Sequence, residues 1–244
     1  MKKLGLLGRN IGYSFSRNYF AQKFTQEAIT ESFSYENFDI PNIQDFPEVL
    51  KNNANLIGLN VTIPYKEEVT PYLDQLSEDA KQIGAVNTIK VTDGKLIGHN
   101  TDYFGFIESL KPLLKPHHKK ALILGTGGAA KAIAFGLLQL KIDFTFVSRL
   151  EKENTLAYED LEEKTGQEYQ IIINCTPLGT FPNTEVCPDI PYEMFTQHHI
   201  AYDLIYNPEK TTFLSKAEEK GATIKNGHEM LMLQAEKAWE IWNS

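Results

Sequence analysis

An α/β fold in two domains is predicted by three observations. Short apolar runs alternate with helix-period segments along the first hundred or so residues, the pattern of strands and helices layered on a sheet. Asp93-Gly94 joins two strand-like runs as a hairpin, so this first sheet is predicted to be mixed rather than purely parallel. In mid-chain the run Ala121-Leu122-Ile123-Leu124 enters the turn Gly125-Thr126-Gly127-Gly128-Ala129-Ala130, and helix-period residues follow. Strand, glycine-rich turn and helix in that order open a Rossmann-like dinucleotide-binding domain. The predicted architecture is a mixed-sheet α/β domain at residues 1–102, completed by a C-terminal helix at 227–244, and a Rossmann-like domain at 103–226.

Taken in order, residues 4–8 read as a buried strand, 18–28 as a helix, and 33–40 and 56–63 as further strands. Residues 85–91 and 96–99 are the hairpin arms. Residues 104–114 look like a connecting helix, and Pro112, Pro116 and the basic cluster at 117–120 mark a boundary. Past the turn, Ile133, Ala134, Leu137 and Leu138 have helical spacing within 131–140, and 142–147 is a second strand. Residues 169–174 form a β-branched run, and 200–206 is another strand, ending at Asn207-Pro208. After Asn226-Gly227, Met230, Leu231, Leu233, Ala238 and Ile241 lie on a closing helix that can return to the first domain.

The mid-chain turn fits G-x-G-x-x-G/A: Gly125 for the tight turn, Gly127 for close approach to a pyrophosphate, Ala130 for helix–strand packing. An ordinary β–α loop is the alternative for the turn alone; the flanking strand and helix favour a nucleotide. About 20 residues past the first glycine, where the adenosine ribose is read, stand Ser148 and Arg149. An NAD site usually places Asp or Glu there, whereas a hydroxyl and a guanidinium suit a 2′-phosphate. NADP is the expected cofactor, with a solvated surface role for Arg149 as the competing reading.

Composition narrows the rest. With 244 residues and 42% hydrophobic content there is room for two modest domains. The net charge of −8, from 24 Lys+Arg against 32 Asp+Glu, disfavours nonspecific binding to nucleic acid or an anionic membrane, yet leaves room for a small anionic substrate. No apolar run approaches the roughly 18 residues of a membrane span, and the apolar stretch after Met1 is short for a signal peptide, so a cytoplasmic location is expected. Cys175 and Cys187 lack metal-ligand spacing and read as packing residues. The pairs His117-His118 and His198-His199 read as solvated loop residues, and His99 and His228 as structural; no metal is expected.

Polar residues cluster at strand ends before the glycine turn: Ser14, Ser16, Asn60, Thr62, Lys66, Asn87, and Asn100-Thr101-Asp102. Each type also serves turns and caps, but together they suit a small polyhydroxylated acid, with a lysine–carboxylate pair for proton transfer. A hydride acceptor held by the second domain would complete an oxidoreductase.

The motifs Asn60-Val61-Thr62-Ile63-Pro64-Tyr65-Lys66, Gly84-Ala85-Val86-Asn87-Thr88, Asn100-Thr101-Asp102 and Asn226-Gly227-His228-Glu229-Met230-Leu231 occur in that order. With Ser14-Phe15-Ser16, Asn174-Cys175-Thr176-Pro177-Leu178-Gly179 and Asp203-Leu204-Ile205-Tyr206-Asn207-Pro208, the chain resembles the shikimate dehydrogenases over essentially its whole length. That resemblance implies NADPH-dependent reduction of 3-dehydroshikimate to shikimate in chorismate and aromatic amino-acid biosynthesis. It implies Ser14 and Ser16 on the substrate carboxylate, Thr62, Asn87 and Asp102 on its hydroxyls, and Gln234 and Tyr206 at the same pocket. Lys66 and Asp102 would be the catalytic pair. Gly125, Thr126, Gly127, Gly128 and Ala129 would cradle the pyrophosphate, Ser148 and Arg149 the adenosine phosphate. Thr176 and Leu178 would line the cofactor cleft, with Leu204 and Gly227 by the nicotinamide.

Two positions depart from the family pattern. Glu153 stands where a second arginine is common, which would oppose a 2′-phosphate if it faced inward, with Lys152 beside it; Thr126 replaces a frequent alanine. Two rival readings are a quinate or dual quinate/shikimate dehydrogenase and a non-catalytic metabolite sensor. Ser16, where quinate-type members often carry threonine, favours shikimate; Lys66 and Asp102 argue for an enzyme. Monomer and homodimer are both compatible with the sequence.

Overall fold

The computed structural model describes residues 1–12, 15–149 and 155–244. The expectations for Ser14, Lys152 and Glu153 lie outside the described residues. The chain forms two compact units, Met1–Thr101 with Ala235–Ser244, and Asp102–Gln234. The first runs β1 (Lys2–Gly8), α1 (Phe15–Gln26), β2 (Phe33–Asp39), α2 (Phe46–Lys51), β3 (Leu56–Val61), α3 (Tyr65–Glu68), β4 (Gln75–Leu76), α4 (Glu78–Ile83), β5 (Thr88–Thr92) and β6 (Lys95–His99). The second runs α5 (Asp102–Leu110), β7 (Lys120–Leu124), α6 (Gly128–Gln139), β8 (Asp143–Ser148), β9 (Thr155–Ala157), α7 (Thr165–Glu168), β10 (Ile171–Asn174), β11 (Ile200–Asp203), α8 (Thr212–Glu219), β12 (Thr223–Lys225) and the start of α9 (His228–Asn243).

The first sheet has the order β2-β1-β3-β5-β6-β4 and is mixed, as expected. β1 pairs parallel with β2 and β3, while β3–β5 and β5–β6 are antiparallel. The hairpin turn has Asp93 at φ 49° and Gly94 at φ 73°, the two left-handed residues whose twist matches the strands they join. The helix expected at 18–28 starts three residues earlier, at Phe15, and ends two residues earlier, at Gln26, ahead of Ala28, whose left-handed backbone (φ 56°) cannot continue it. That shift brings Ser16 into its first turn, buried. The short helix α4 was not foreseen; Ser77 Oγ caps it by accepting from the Ala80 amide at 3.2 Å, and Gly84 at φ 71° ends it. The last turns of α9 complete this unit's core, with Ala235, Ala238 and Trp242 packed among Leu4, Phe20, Phe24 and Tyr35. Gly58 makes this possible, since a Cβ there would lie 2.3 Å from Trp242.

The second sheet is wholly parallel, in the order β12-β11-β10-β7-β8-β9. Chain order reverses between β7 and β10, the switch point where a doubly wound sheet binds its ligand at the strand C-termini. β7 contributes Ala121, Leu122, Ile123 and Leu124, all fully buried between two helical layers. The expected strand 200–206 stops at Asp203, so Leu204, Ile205 and Tyr206 form the loop beyond the sheet edge. One member of each histidine pair departs from the solvated expectation. His118 and His199 are buried, because His118 Nδ1 accepts from the Lys115 amide (2.9 Å) and His199 bonds the Gly166 carbonyl (2.8 Å). Among the described residues no helix is long and apolar enough to cross a membrane, and no group of histidine, cysteine and carboxylate side chains could hold a metal.

Candidate active site

In the first unit the polar motifs are bound into one buried network. Asn87, at the entry to β5, accepts the Thr101 amide on Oδ1 at 2.7 Å, while its Nδ2 lies 3.0 Å from Thr101 Oγ1. Its backbone carbonyl accepts the Val61 amide at 2.8 Å, tying the 84–88 motif to the 60–66 motif. The Val86 amide does the same again, donating to the Lys66 carbonyl at 2.7 Å. Lys66 thus stands half-buried in α3 on a backbone fixed from the neighbouring segment. Thr62, half-buried, is held by its amide on the Leu7 carbonyl at 2.9 Å.

One member of the network was missed at the sequence level. The Tyr35 phenol donates to Asn60 Oδ1 at 2.7 Å and shares a hydrogen bond with the Ser16 hydroxyl. Burial pushes this phenol well above its ordinary range, and the Ser16 bond offsets that only in part. Tyr35 therefore stays a neutral bridge between two of the expected substrate-binding motifs. Its strand reads Phe33-Ser34-Tyr35-Glu36-Asn37-Phe38, which marks Tyr35 only as an inward-facing position.

Asp102 opens α5 in the second unit and is buried. Gln234, also buried, lies on α9 where that helix packs against Gly105 of α5. The contact is close: a Cβ on Gly105 would meet the Met230 carbonyl at 2.4 Å.

The nucleotide turn divides its two glycines between two tasks. Gly125 has φ 106°, and a Cβ there would stand 3.3 Å from Thr176 Cγ2, so it serves the fold. Gly127 has an ordinary extended conformation (φ −78°), and a Cβ there would meet nothing within 4 Å. The space over Gly127 is therefore open, at the start of a helix whose first turn has no acidic residue and whose N-cap offers no side-chain bond. The helix begins at Gly128 rather than 131, which puts Gly128 and Ala129 in its first turn. Helix-start amides beside a backbone that can be approached closely are able to receive an anionic group here. Ser148, buried, ends the adjacent strand β8, and Arg149, exposed, follows it, near enough to Tyr158 to draw its phenol pKa down against the rise from burial.

The other wall of the switch point follows β10 and β11. Thr176 is half-buried and Leu178 exposed. Gly227 packs on Leu204, where a Cβ would lie 2.0 Å from the Leu204 carbonyl, and its amide donates to the Ile205 carbonyl at 3.0 Å. Tyr206 is half-buried beside it in sequence.

Beneath this wall Asp203 is fully buried, and burial pushes its carboxyl up to about 6 from 3.8, although bonds from Thr211, the Ile205 amide and Asn174 pull it back. The native state then binds more protons than the unfolded chain between roughly pH 4 and 6. Stability from this group falls as pH rises through that window, by on the order of 3 kcal/mol, and is flat above it. Urea unfolding of wild type and Asp203→Asn at pH 4.5 and 7 checks this: the wild type should lose ground to the variant on going to pH 7.

Comparisons with known proteins agree with this layout. Residues 6–89 match the model of the shikimate dehydrogenase substrate binding domain. A shikimate dehydrogenase (NADP(+)) of Caldicellulosiruptor saccharolyticus is 38% identical, covering 99% of this chain and 92% of its own length. The crystal structure of shikimate dehydrogenase 1 from Peptoclostridium difficile is 35% identical with a TM-score of 0.84, covering 100% of this chain and 92% of that one. Shikimate 5-dehydrogenase from Thermus thermophilus, solved in complex with NADP(H) and shikimate, is 32% identical with a TM-score of 0.87, covering 99% and 93%.

Proposed function

The chain belongs to the shikimate dehydrogenase family, and from that premise we propose that it reversibly reduces 3-dehydroshikimate to shikimate with NADPH, in the biosynthesis of chorismate and the aromatic amino acids. One observation carries the reading above the others: the relationship runs over 99% of the chain, so it spans both the substrate motifs and the nucleotide turn. The open space over Gly127 and the Ser148-Arg149 pair at the end of β8 fit NADP.

When bound, the nicotinamide supplies the hydride that the C3 carbonyl carbon receives. The chain's own residues do the rest. Ser14 and Ser16 donate to the substrate carboxylate, and Thr62, Asn87 and Asp102 meet the ring hydroxyls, with Gln234 and Tyr206 at the same pocket. As the carbonyl oxygen gains charge, the Lys66 ammonium gives it a proton, so that no free alkoxide forms. Asp102 accepts from the substrate hydroxyl and holds it in line for transfer. In the oxidation direction the neutral amine takes the same proton back. Gly125 to Ala129 hold the pyrophosphate on helix amides, Ser148 and Arg149 the 2′-phosphate, and Thr176, Leu178, Leu204 and Gly227 the nicotinamide end. A cytoplasmic location, as monomer or homodimer and without nucleic-acid or membrane partners, completes the proposal.

Absorbance at 340 nm with shikimate or quinate, each with NADP⁺ or NAD⁺, tests it. Shikimate with NADP⁺ is expected to turn over well above the other three. Faster turnover with NAD⁺ would overturn the role of Arg149, and binding of shikimate without turnover in any combination would make the protein a sensor.

A further inference from the structure

Asp203 is a carboxylate with no exposed surface that the chemistry above does not use. Three donors converge on it. Asn174 Nδ2 reaches Oδ1 at 3.1 Å, the Ile205 amide reaches the same oxygen at 3.0 Å, and Thr211 Oγ1 reaches Oδ2 at 2.6 Å. A carboxylate only accepts, so it holds the nitrogen side of the Asn174 amide. With its nitrogen committed to Asp203, Asn174 turns Oδ1 to Thr176, accepting from the amide at 3.0 Å and from the hydroxyl at 2.6 Å. The Thr176 hydroxyl, its proton so placed, can only accept in turn, and the Leu178 amide donates to it at 3.3 Å. Asn174 Nδ2 also reaches the Leu178 carbonyl at 3.4 Å, so one buried amide, anchored on Asp203 Oδ1, ties the segment Thr176–Leu178 at both its ends. That oxygen also holds the amide between Leu204 and Tyr206.

We propose that Asp203 is a positioning residue for the nicotinamide cofactor: through Oδ1 it orders both strand-end segments, Thr176–Leu178 and Leu204–Tyr206, that form the wall of the cofactor site. The inference rests on the reading above that these segments line that site. It separates two jobs within one side chain. Oδ1 serves the cofactor wall, whereas Oδ2 serves Thr211, which caps α8 by accepting from the Leu214 amide at 3.3 Å.

The experiment is a calorimetric titration of NADP⁺ into wild type and variants, with steady-state kinetics and thermal unfolding alongside. Asp203→Ala is expected to weaken NADP⁺ binding by about tenfold or more, since it removes the acceptor of all three donors, two of them on the wall segments, while kcat at saturating NADP⁺ changes by less than about threefold. Asp203→Asn keeps an oxygen for both donors, so it should restore binding to within about threefold of wild type. Thr211→Val removes only the Oδ2 partner and the cap; it should lower the unfolding temperature and leave NADP⁺ binding within about twofold. If Asp203→Ala does not fold, Asn174→Ala, which leaves the carboxylate two of its donors, carries the same expectation. The proposal is overturned if the folded alanine variant binds NADP⁺ as wild type does, or if Thr211→Val weakens binding as much as Asp203→Ala. Wild-type protein that fails to oxidise shikimate with NADP⁺ would instead remove the functional reading on which it rests.

Discussion

Lys66→Ala should lower kcat for shikimate oxidation by about 10²–10⁴, the span typical of a lost general acid–base, with NADP⁺ binding unchanged. The substitution is expected to leave the fold intact. Lys66 sits half-buried in a four-residue helix, and its backbone anchor, the Val86 amide on its carbonyl, survives the change. The loss therefore reports chemistry rather than folding. Asp102→Asn should also lower turnover strongly but by less, because an amide can still accept from the substrate hydroxyl. Retention of more than about a tenth of wild-type turnover by Lys66→Ala would require another group to move the proton.

The second large effect is expected at the nucleotide turn, where Gly127→Ala and Gly125→Ala should fail for opposite reasons. Position 127 tolerates alanine in the protein itself: its φ is −78° and no atom stands within 4 Å of the added carbon. The unfolding temperature should stay at the wild-type value. The new methyl instead occupies the space a pyrophosphate needs, and overpacking of about 1–3 kcal/mol corresponds to roughly 5–150-fold weaker NADP⁺ binding. Gly125→Ala should lower stability first, since φ 106° is strained for any side chain and Thr176 Cγ2 stands at 3.3 Å. Thermal unfolding beside nucleotide titration separates the two. Wild-type affinity in Gly127→Ala would place the pyrophosphate elsewhere.

Much of this was legible because it depends on local pattern. The alternation of short apolar runs, the Asp-Gly hairpin and the strand–glycine–helix junction act within a few residues, where backbone preferences operate. The short helices α2, α3 and α4 and the two-residue strand β4 escaped notice, being too brief to show a period. Histidines 118 and 199 were misjudged because their partners, a Lys115 amide and the Gly166 carbonyl, are backbone groups that no side-chain pattern announces.

By itself, then, the sequence determined the fold class, the position of the nucleotide turn and the chemical character of the polar motifs, since residue type and spacing carry all three. Only the tertiary structure decided how those residues are used. Tyr35 and Asn60 meet because parallel pairing places β1 between their strands. Gly125 and Gly127 look alike in sequence, yet one is required by the backbone and the other leaves room for a ligand. Asp203 became a buried acceptor because β10 and β11 pair in a register that sets Asn174 opposite it. Each depends on which distant segment comes to lie alongside, and that is settled by burying the apolar core of its unit rather than by any local preference.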